Sequence, residues 1–181
     1  MLVNDIILKD NGEESPHPPH LESYQQDKDN EYVFISNQCQ PSERDENVRM
    51  AKYLSQKTKE NIYVLPHIQP TLKGANNLRK EYFPIGVKEG KNPDYYFRGR
   101  FLDGKSMMTV KIDLDNMKAV KRKIQNRLDE AFEQADDALL ETPTTIPIEV
   151  VRNAVKGKLA SSKHLHYVYI WYGNKMILFD G

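Results

Sequence analysis

The sequence predicts an α/β (α+β) fold, with a central mixed sheet of about five strands flanked by helices. Apolar residues recur at spacings of three and four from Val120 to Ala138, which predicts a long amphipathic helix. Two β-rich runs, residues 166–172 and 175–179, flank the dipeptide Gly173-Asn174, a pattern typical of a tight hairpin. Since helical and strand patterns alternate along the chain, we expect the helices to pack against the sheet.

The first elements follow in order from Ser42. Ser42 or Asp45 can cap a helix, whose apolar residues continue to a predicted end near Lys57. Residues 62–65, Ile-Tyr-Val-Leu, are predicted to form a buried strand. Residues 67–91 are predicted to form a loop, because they contain two prolines, three glycines and many charges.

The second half of the chain contains the longer elements. Short strands are predicted at residues 95–97 and 107–112. A turn is predicted at Arg98-Gly99-Arg100, directly after the first, and Asp103-Gly104-Lys105 is a further turn signal between them. The long helix opens at Asp115 or Asn116 and is predicted to run to about Leu140. A further helix is predicted from Ile148 to Leu159, before the terminal hairpin.

A length of 181 residues is enough for one domain with a hydrophobic core. Residues 1–42 are polar and proline-rich, which predicts a partly linker-like segment ahead of a folded domain at 43–181. Two apolar runs in that segment, 6–8 and 32–35, either add strands to the domain or belong to a preceding module.

Composition excludes several classes of protein. No apolar run is long enough for a membrane span, and the N-terminus lacks the basic and apolar regions of a secretory signal. The one cysteine, Cys39, cannot form an internal disulfide, which favours an intracellular or redox-indifferent setting. Because 26 Lys and Arg residues equal 26 Asp and Glu residues, nucleic-acid binding would need a local basic face.

Residues 92–111 carry the most informative chemistry. Asp94 follows a proline at the start of one strand, while Asp103 and Lys111 are predicted on or beside the next. Two acids can hold Mg²⁺ or another divalent cation, and a nearby lysine can activate the attacking water or stabilise charge on a phosphate. The alternative is structural: turn aspartates and a lysine that protects a strand edge.

Other residues could complete such a site. Glu46 on the first helix could close the metal site, although a surface helix glutamate is the simpler interpretation. A basic cluster in the first turns of the long helix could contact phosphates non-specifically. Its members are Lys118, Lys121, Arg122 and Lys123. A metal-free ribonuclease would instead use His67 or His166 as general acid and base.

From Glu46 onward, the order of features resembles the tRNA-nuclease toxin domains of contact-dependent growth inhibition proteins and their phage-borne relatives. The matching segments are ENVRMAKYL, NIYVLP, NPDYYFRG, GKSMMTVK and IQNRLDEAFEQAD, followed by a short strand-like DALL and a final VYIWY strand. The resemblance implies a PD-(D/E)xK-like, restriction-endonuclease-type core. It also implies a divalent metal, tRNA or another RNA as substrate, a cognate immunity protein as partner, and action in the cytoplasm of the producing or target bacterial cell.

By this resemblance, Asp94 matches the motif aspartate, Lys111 the motif lysine and Glu46 the helix glutamate. The chain departs from the pattern at Thr109, which stands where an acid usually precedes the lysine by two residues. A threonine cannot hold a metal as a carboxylate does. Three possibilities follow: Asp103 supplies the carboxylate, the site is metal-poor, or the chain is an inactive, nuclease-like binding module.

Overall fold

The computed structural model describes residues 17–84 and 87–181. That part of the chain forms one mixed sheet of eight strands, with helices on both faces. The strands are Tyr24–Gln26 (β1), Val33–Ser36 (β2), Ile62–Val64 (β3), Tyr95–Phe97 (β4), Arg100–Ser106 (β5), Asp137–Thr142 (β6), Tyr167–Tyr172 (β7) and Lys175–Asp180 (β8). The helices are Pro41–Thr58 (α1), Ala75–Tyr82 (α2), Met117–Phe132 (α3) and Ile148–Ala160 (α4).

The strands lie side by side in chain order, from β1 at one edge to β8 at the other. The pairs β2–β3, β5–β6 and β6–β7 are parallel, and helices α1, α3 and α4 make those three connections. The remaining neighbours pair in antiparallel fashion. Parallel neighbours need long crossovers, which explains why the helices cover both faces of the sheet.

Side chains alternate between the two faces of the sheet, so each face has its own core. Helix α1 covers one face, where Leu54 packs with residues such as Ile62 and Leu102. Helices α3 and α4 cover the other face over β6–β8, and α2 covers an aromatic cluster that includes Tyr63 and Phe101. In the described residues, no helix is both long and apolar enough to cross a membrane.

Much of the predicted element order is confirmed. The mixed α+β class is confirmed, as are the first and last predicted helices, here α1 and α4. Strands β3 and β4 and the β7–β8 hairpin also lie where the pattern predicts them. Helix α1 begins at Pro41 with Gln40 as its N-cap, so the prediction that Ser42 or Asp45 caps it is wrong.

The prediction of a turn at Asp103-Gly104-Lys105 is wrong. The turn predicted at Arg98-Gly99-Arg100 is confirmed: Arg98 and Gly99, with φ angles of 53° and 78°, form a two-residue hairpin loop. Strand β5 therefore starts at Arg100 and contains all three of the supposed turn residues. Residues 107–112, predicted to be a strand, lie in the loop that follows.

The predicted count of about five strands is also wrong, because three further segments pair into the sheet. Strands β1 and β2 extend it beyond β3, so the apolar run at 32–35 adds a strand to the domain. Strand β6 occupies residues that were predicted to continue the long helix, which ends at Phe132. Helix α2 lies within the predicted loop at 67–91, and the run at 6–8 lies outside the described residues.

We expect Gly104→Ala to destabilise the protein by about 1–3 kcal/mol. A Cβ at Gly104 would lie 2.8 Å from Cε2 and 3.0 Å from the hydroxyl oxygen of Tyr95, a fully buried residue. Urea unfolding of both proteins measures the change. Gly157→Ala in α4 is the matched control, because its Cβ would meet only the ends of flexible side chains, the Gln125 amide at 3.2 Å and the Lys121 ammonium end at 3.9 Å. Equal stability of Gly104→Ala and the unchanged protein would contradict this packing.

Candidate active site

A cavity of about 570 Å³ lies where β3, β4 and β5 meet the N-terminal half of α1. Segment 90–94 forms a further wall, and Arg127 and Gln134 line it from α3 and the residues beyond its end. Its charged lining residues are Glu43, Glu46, Lys91, Asp94, Asp103, Lys105 and Arg127. With all four acids ionised, the lining would carry one net negative charge, which favours a cation.

Asp94 is held rigidly at the end of the sheet. Its backbone bonds to both neighbouring strands, donating to the Leu102 carbonyl at 3.0 Å and accepting from the Leu65 N–H at 2.9 Å. One carboxylate oxygen, Oδ2, accepts from the Gly104 N–H at 2.8 Å. The other, Oδ1, accepts from the Asn47 side chain of α1 at 3.0 Å. The carboxylate therefore has a fixed orientation.

Asp103 and Lys105 lie two residues apart on β5, so both side chains project from the same face of the sheet. Asp103 is only 2% exposed, and its Oδ2 contacts the Lys105 ammonium. Asp103 Oδ2 is thus a buried carboxylate oxygen paired with an ammonium of its own strand. An oxygen in this state has capacity for another ligand.

The pKa values of both carboxyl groups are raised. Burial, followed by the charge of Asp94, raises the pKa of Asp103 to about 8. Burial likewise raises the pKa of Asp94. For Lys105, burial lowers the pKa, but the two carboxylates outweigh it and the net change is upward. Two carboxylates facing one ammonium leave one negative charge, which a proton or a metal cation can compensate.

The structure brings together four of the residues that the sequence predicts for the site. Asp94, Asp103, Glu46 and Thr109 all line the cavity, although Glu46 and Thr109 are exposed. In the described part of the chain, Lys111 is not among the lining residues. It lies exposed in the loop after β5, since β5 ends at Ser106.

The lysine of this site is Lys105, which the sequence-based reasoning missed. Lys105 follows Asp103 by two residues, which is the acid–lysine spacing that Thr109 and Lys111 lack. The signal was present in the sequence but was hidden by the turn preference of Asp-Gly. Gly104 is required here because the Tyr95 ring lies against it, not because the chain turns.

The predicted basic cluster lies outside the cavity on the N-terminal half of α3. Lys118 and Arg122 are exposed one turn apart, while Lys121 and Lys123 are half-buried. Lys123 donates to the Lys111 carbonyl. Since residues four apart share a helix face, Lys123 and the cavity-lining Arg127 lie in one row. Lys123 belongs to the basic cluster, and Arg127 lines the cavity one turn further along the helix.

The two histidines of the metal-free alternative are placed differently. His67 lines the cavity and is half-buried. His166 is buried, stacks on Phe132 with ring centroids 4.1 Å apart, and contacts the Asp136 carbonyl. Among the described residues His166 does not line the cavity, so only His67 could serve a reaction there.

No group of three or more His, Cys, Asp and Glu side chains in the described residues is arranged to hold a metal ion. A cation in the cavity would therefore rest on Asp94 and Asp103, with water or substrate oxygens as its other ligands. That ligand set fits Mg²⁺, which is usually bound by one or two carboxylates together with water and substrate phosphates.

Comparisons of the chain with family models, curated proteins and solved structures found no match.

We expect the free energy of unfolding in chelator to fall as pH rises from about 4 to about 8, owing to Asp103. The folded protein keeps the Asp103 proton up to pH about 8, whereas the unfolded chain loses it near the ordinary value of 3.8. The stabilisation by this group is therefore complete below pH 4 and lost as pH rises through 8. Urea unfolding at several pH values measures it.

Asp103→Asn is the control for this pH dependence, because it cannot ionise. The difference in unfolding free energy between Asp103→Asn and the unchanged protein should grow in favour of the variant between pH 5 and 8. Asp94→Asn should move the window to lower pH, because it removes the neighbouring charge that raises the Asp103 pKa. A difference that is constant with pH would contradict a raised Asp103 pKa.

Proposed function

We propose that this protein is a metal-dependent nuclease whose active site is Asp94, Asp103 and Lys105. The single observation that carries the proposal is the buried Asp103–Lys105 contact on β5, beside the fixed carboxylate of Asp94. Two acids and a lysine on adjacent strands suit phosphodiester hydrolysis, in which negative charge builds up on the phosphate.

Each residue has a distinct role in this proposal. Asp94 and Asp103 hold the divalent cation, which supplies Lewis-acid polarisation of the phosphate oxygens when bound. Lys105 donates from Nζ to a phosphate oxygen and so stabilises the negative charge that develops there. In the hydrolysis, the water oxygen bonds to phosphorus and loses one proton, the bond from phosphorus to the leaving oxygen breaks, and the leaving oxygen takes up one proton, so that the proton count balances.

Glu46 and Asn47 support these groups from α1. Asn47 orients Asp94 through the 3.0 Å bond to Oδ1, and the Tyr95 hydroxyl donates to the Asn47 side-chain oxygen at 3.4 Å. Glu46 lines the cavity and could bind the cation through water, as an outer ligand. Thr109 cannot bind a metal as a carboxylate does. If Lys105 is the catalytic lysine, Asp103 is the acid two residues before it, and the site needs no carboxylate at position 109.

RNA, with tRNA as the first candidate, is the substrate that we propose from the resemblance to toxin nuclease domains. Lys118 and Arg122 are exposed, and Lys123 lies one turn before Arg127, which is also paired with Glu130. These are the local basic groups that phosphate binding needs in a molecule of zero formal net charge. A toxin of this kind would act in the bacterial cytoplasm and bind a cognate immunity protein. A metal-free reaction through His67 is the second candidate, supported by its position in the same cavity.

We expect purified protein to cleave total tRNA with Mg²⁺ and to lose that activity in EDTA. Asp94→Asn, Asp103→Asn and Lys105→Met should each lower kcat/KM by about 100-fold or more, because each removes a group that stabilises the transition state. Gel-resolved cleavage of labelled tRNA measures the rates. Lys111→Met is the matched control and should cleave like the unchanged protein.

Three outcomes would contradict this assignment. Loss of activity in Lys111→Met but not in Lys105→Met would show that Lys111, in the loop after β5, is the catalytic lysine. Cleavage that survives EDTA and is lost in His67→Gln would favour the metal-free reaction. The absence of cleavage of RNA and of DNA with any divalent metal would leave a non-catalytic binding module.

We expect Lys118→Ala and Arg122→Ala to raise KM with little change in kcat, because these exposed side chains would contact phosphates away from the reacting bond. Each substitution should also reduce the slope of log affinity against log salt by about one. Fluorescence anisotropy of labelled RNA on an Asp103→Asn background measures the slope. Unchanged slopes in both variants would place the RNA on another face.

A further inference from the structure

A polar network next to the cavity connects α1 with β5 and β6. The Arg49 guanidinium donates two parallel hydrogen bonds to the Glu141 carboxylate, both 2.7 Å long. The Ser106 hydroxyl donates to the same carboxylate at 2.7 Å and accepts from the Met108 N–H at 3.2 Å. Glu141 is only 5% exposed, so the network contains a buried and fully paired carboxylate.

The network contacts the N-terminal half of α1, which has few buried apolar side chains. The buried residues of α1 begin at Met50, and residues 41–46 are all exposed. Apolar packing therefore holds the C-terminal half of the helix, while the half that carries Glu46 and Asn47 is held chiefly by polar contacts. Arg49 lies within one turn of both residues.

Two further contacts restrict the Arg49 side chain. Its guanidinium lies over the Trp171 ring at 4.8 Å from the centroid. Trp171 stacks in turn on Tyr53 of the same helix, with centroids 4.0 Å apart and planes 12° from parallel. The arginine is thus fixed by a bidentate ion pair and by a ring face, which gives it a defined position on the sheet.

We propose that Arg49 is a positioning residue: its ion pair with Glu141 fixes the N-terminal half of α1 and thereby holds Asn47 and Glu46 at the metal-binding carboxylates. This inference rests on the proposed metal-dependent site. Without the ion pair, the Asn47 amide would no longer be held at Asp94, and the carboxylate would lose its fixed orientation. The measured consequence is weaker metal binding, since supporting groups of this kind typically contribute 10–100-fold in affinity.

The chain offers a matched control in a second ion pair on the same strand, β6. Arg100 donates two hydrogen bonds to Asp137, at 2.5 and 2.8 Å, and the Tyr167 N–H adds a third at 2.9 Å. Asp137 is 1% exposed, and Arg100 lies over the Tyr167 ring at 5.0 Å. This pair has the chemistry of Arg49–Glu141, but its other hydrogen-bond partners, Leu165 and Tyr167, are not among the described residues that line the cavity, whereas Ser106, which donates to Glu141, is.

The experiment measures Mn²⁺ binding to the full chain by electron paramagnetic resonance, and thermal unfolding of each variant. Arg49→Lys should weaken Mn²⁺ binding about tenfold while remaining folded at the assay temperature. Arg100→Lys should lower Tm to a similar extent but leave Mn²⁺ affinity within about twofold of the unchanged protein. Glu141→Gln, which keeps the shape of the side chain, should weaken binding as Arg49→Lys does and serves if the arginine variant does not fold.

Asn47→Ala adds the test of coupling. If Arg49 acts through Asn47, the double variant Arg49→Lys/Asn47→Ala should bind Mn²⁺ about as weakly as the single Asn47→Ala variant. Full affinity in Arg49→Lys together with weak binding in Asn47→Ala would overturn the inference and leave the metal site standing. Equal losses of Mn²⁺ affinity in Arg49→Lys and Arg100→Lys would also overturn the inference that Arg49 is a positioning residue. Failure of the unchanged protein to bind Mn²⁺ would instead refute the proposed site itself.

Discussion

Two carboxylates and one ammonium meet at the ends of β4 and β5, and their charges do not balance. Asp94 is held by the Gly104 N–H and by Asn47, Asp103 is buried, and Lys105 is the cation beside them. Burial, and then the charge of Asp94, raises the pKa of Asp103 to about 8, so this pair keeps a proton at neutral pH. A divalent cation could neutralise the two carboxylates in place of the proton, and its binding would release that proton.

Other features of the structure serve this arrangement. The Arg98-Gly99 loop places β4 against β5 in the register that brings the Gly104 N–H to Asp94. The buried Tyr95 ring requires glycine between the acid and the lysine. Helix α1 brings Asn47 from the opposite face of the sheet. Each of these contacts reduces the freedom of a carboxylate, which is the preorganisation that an electrostatic site requires.

The sequence was sufficient for elements whose signals were local. Helix α4 and the β7–β8 hairpin have strong periodicity or a clear turn dipeptide, and both were predicted. Strand β6 was indicated only by the strand-like run DALL at 137–140, while the helical periodicity continued to about Leu140, because an alanine- and leucine-rich run after a helix has the same pattern in either state. Its burial on both faces between β5 and β7 is a tertiary property, and so is the pairing of β2 with β3. Likewise, Asp94 and Asp103 could be nominated from the sequence, whereas Lys105 could be recognised only once Asp-Gly was seen inside a strand.

The most direct test of the central claim is a crystal of the protein soaked in Mn²⁺, with anomalous diffraction data collected to locate the ion. A metal site at these carboxylates should give one strong anomalous peak in the cavity, within bonding distance of a carboxylate oxygen of both Asp94 and Asp103, with the Lys105 ammonium close by. A cavity that shows no peak, or a peak bound to other residues, would contradict the claim that these two aspartates form a metal site.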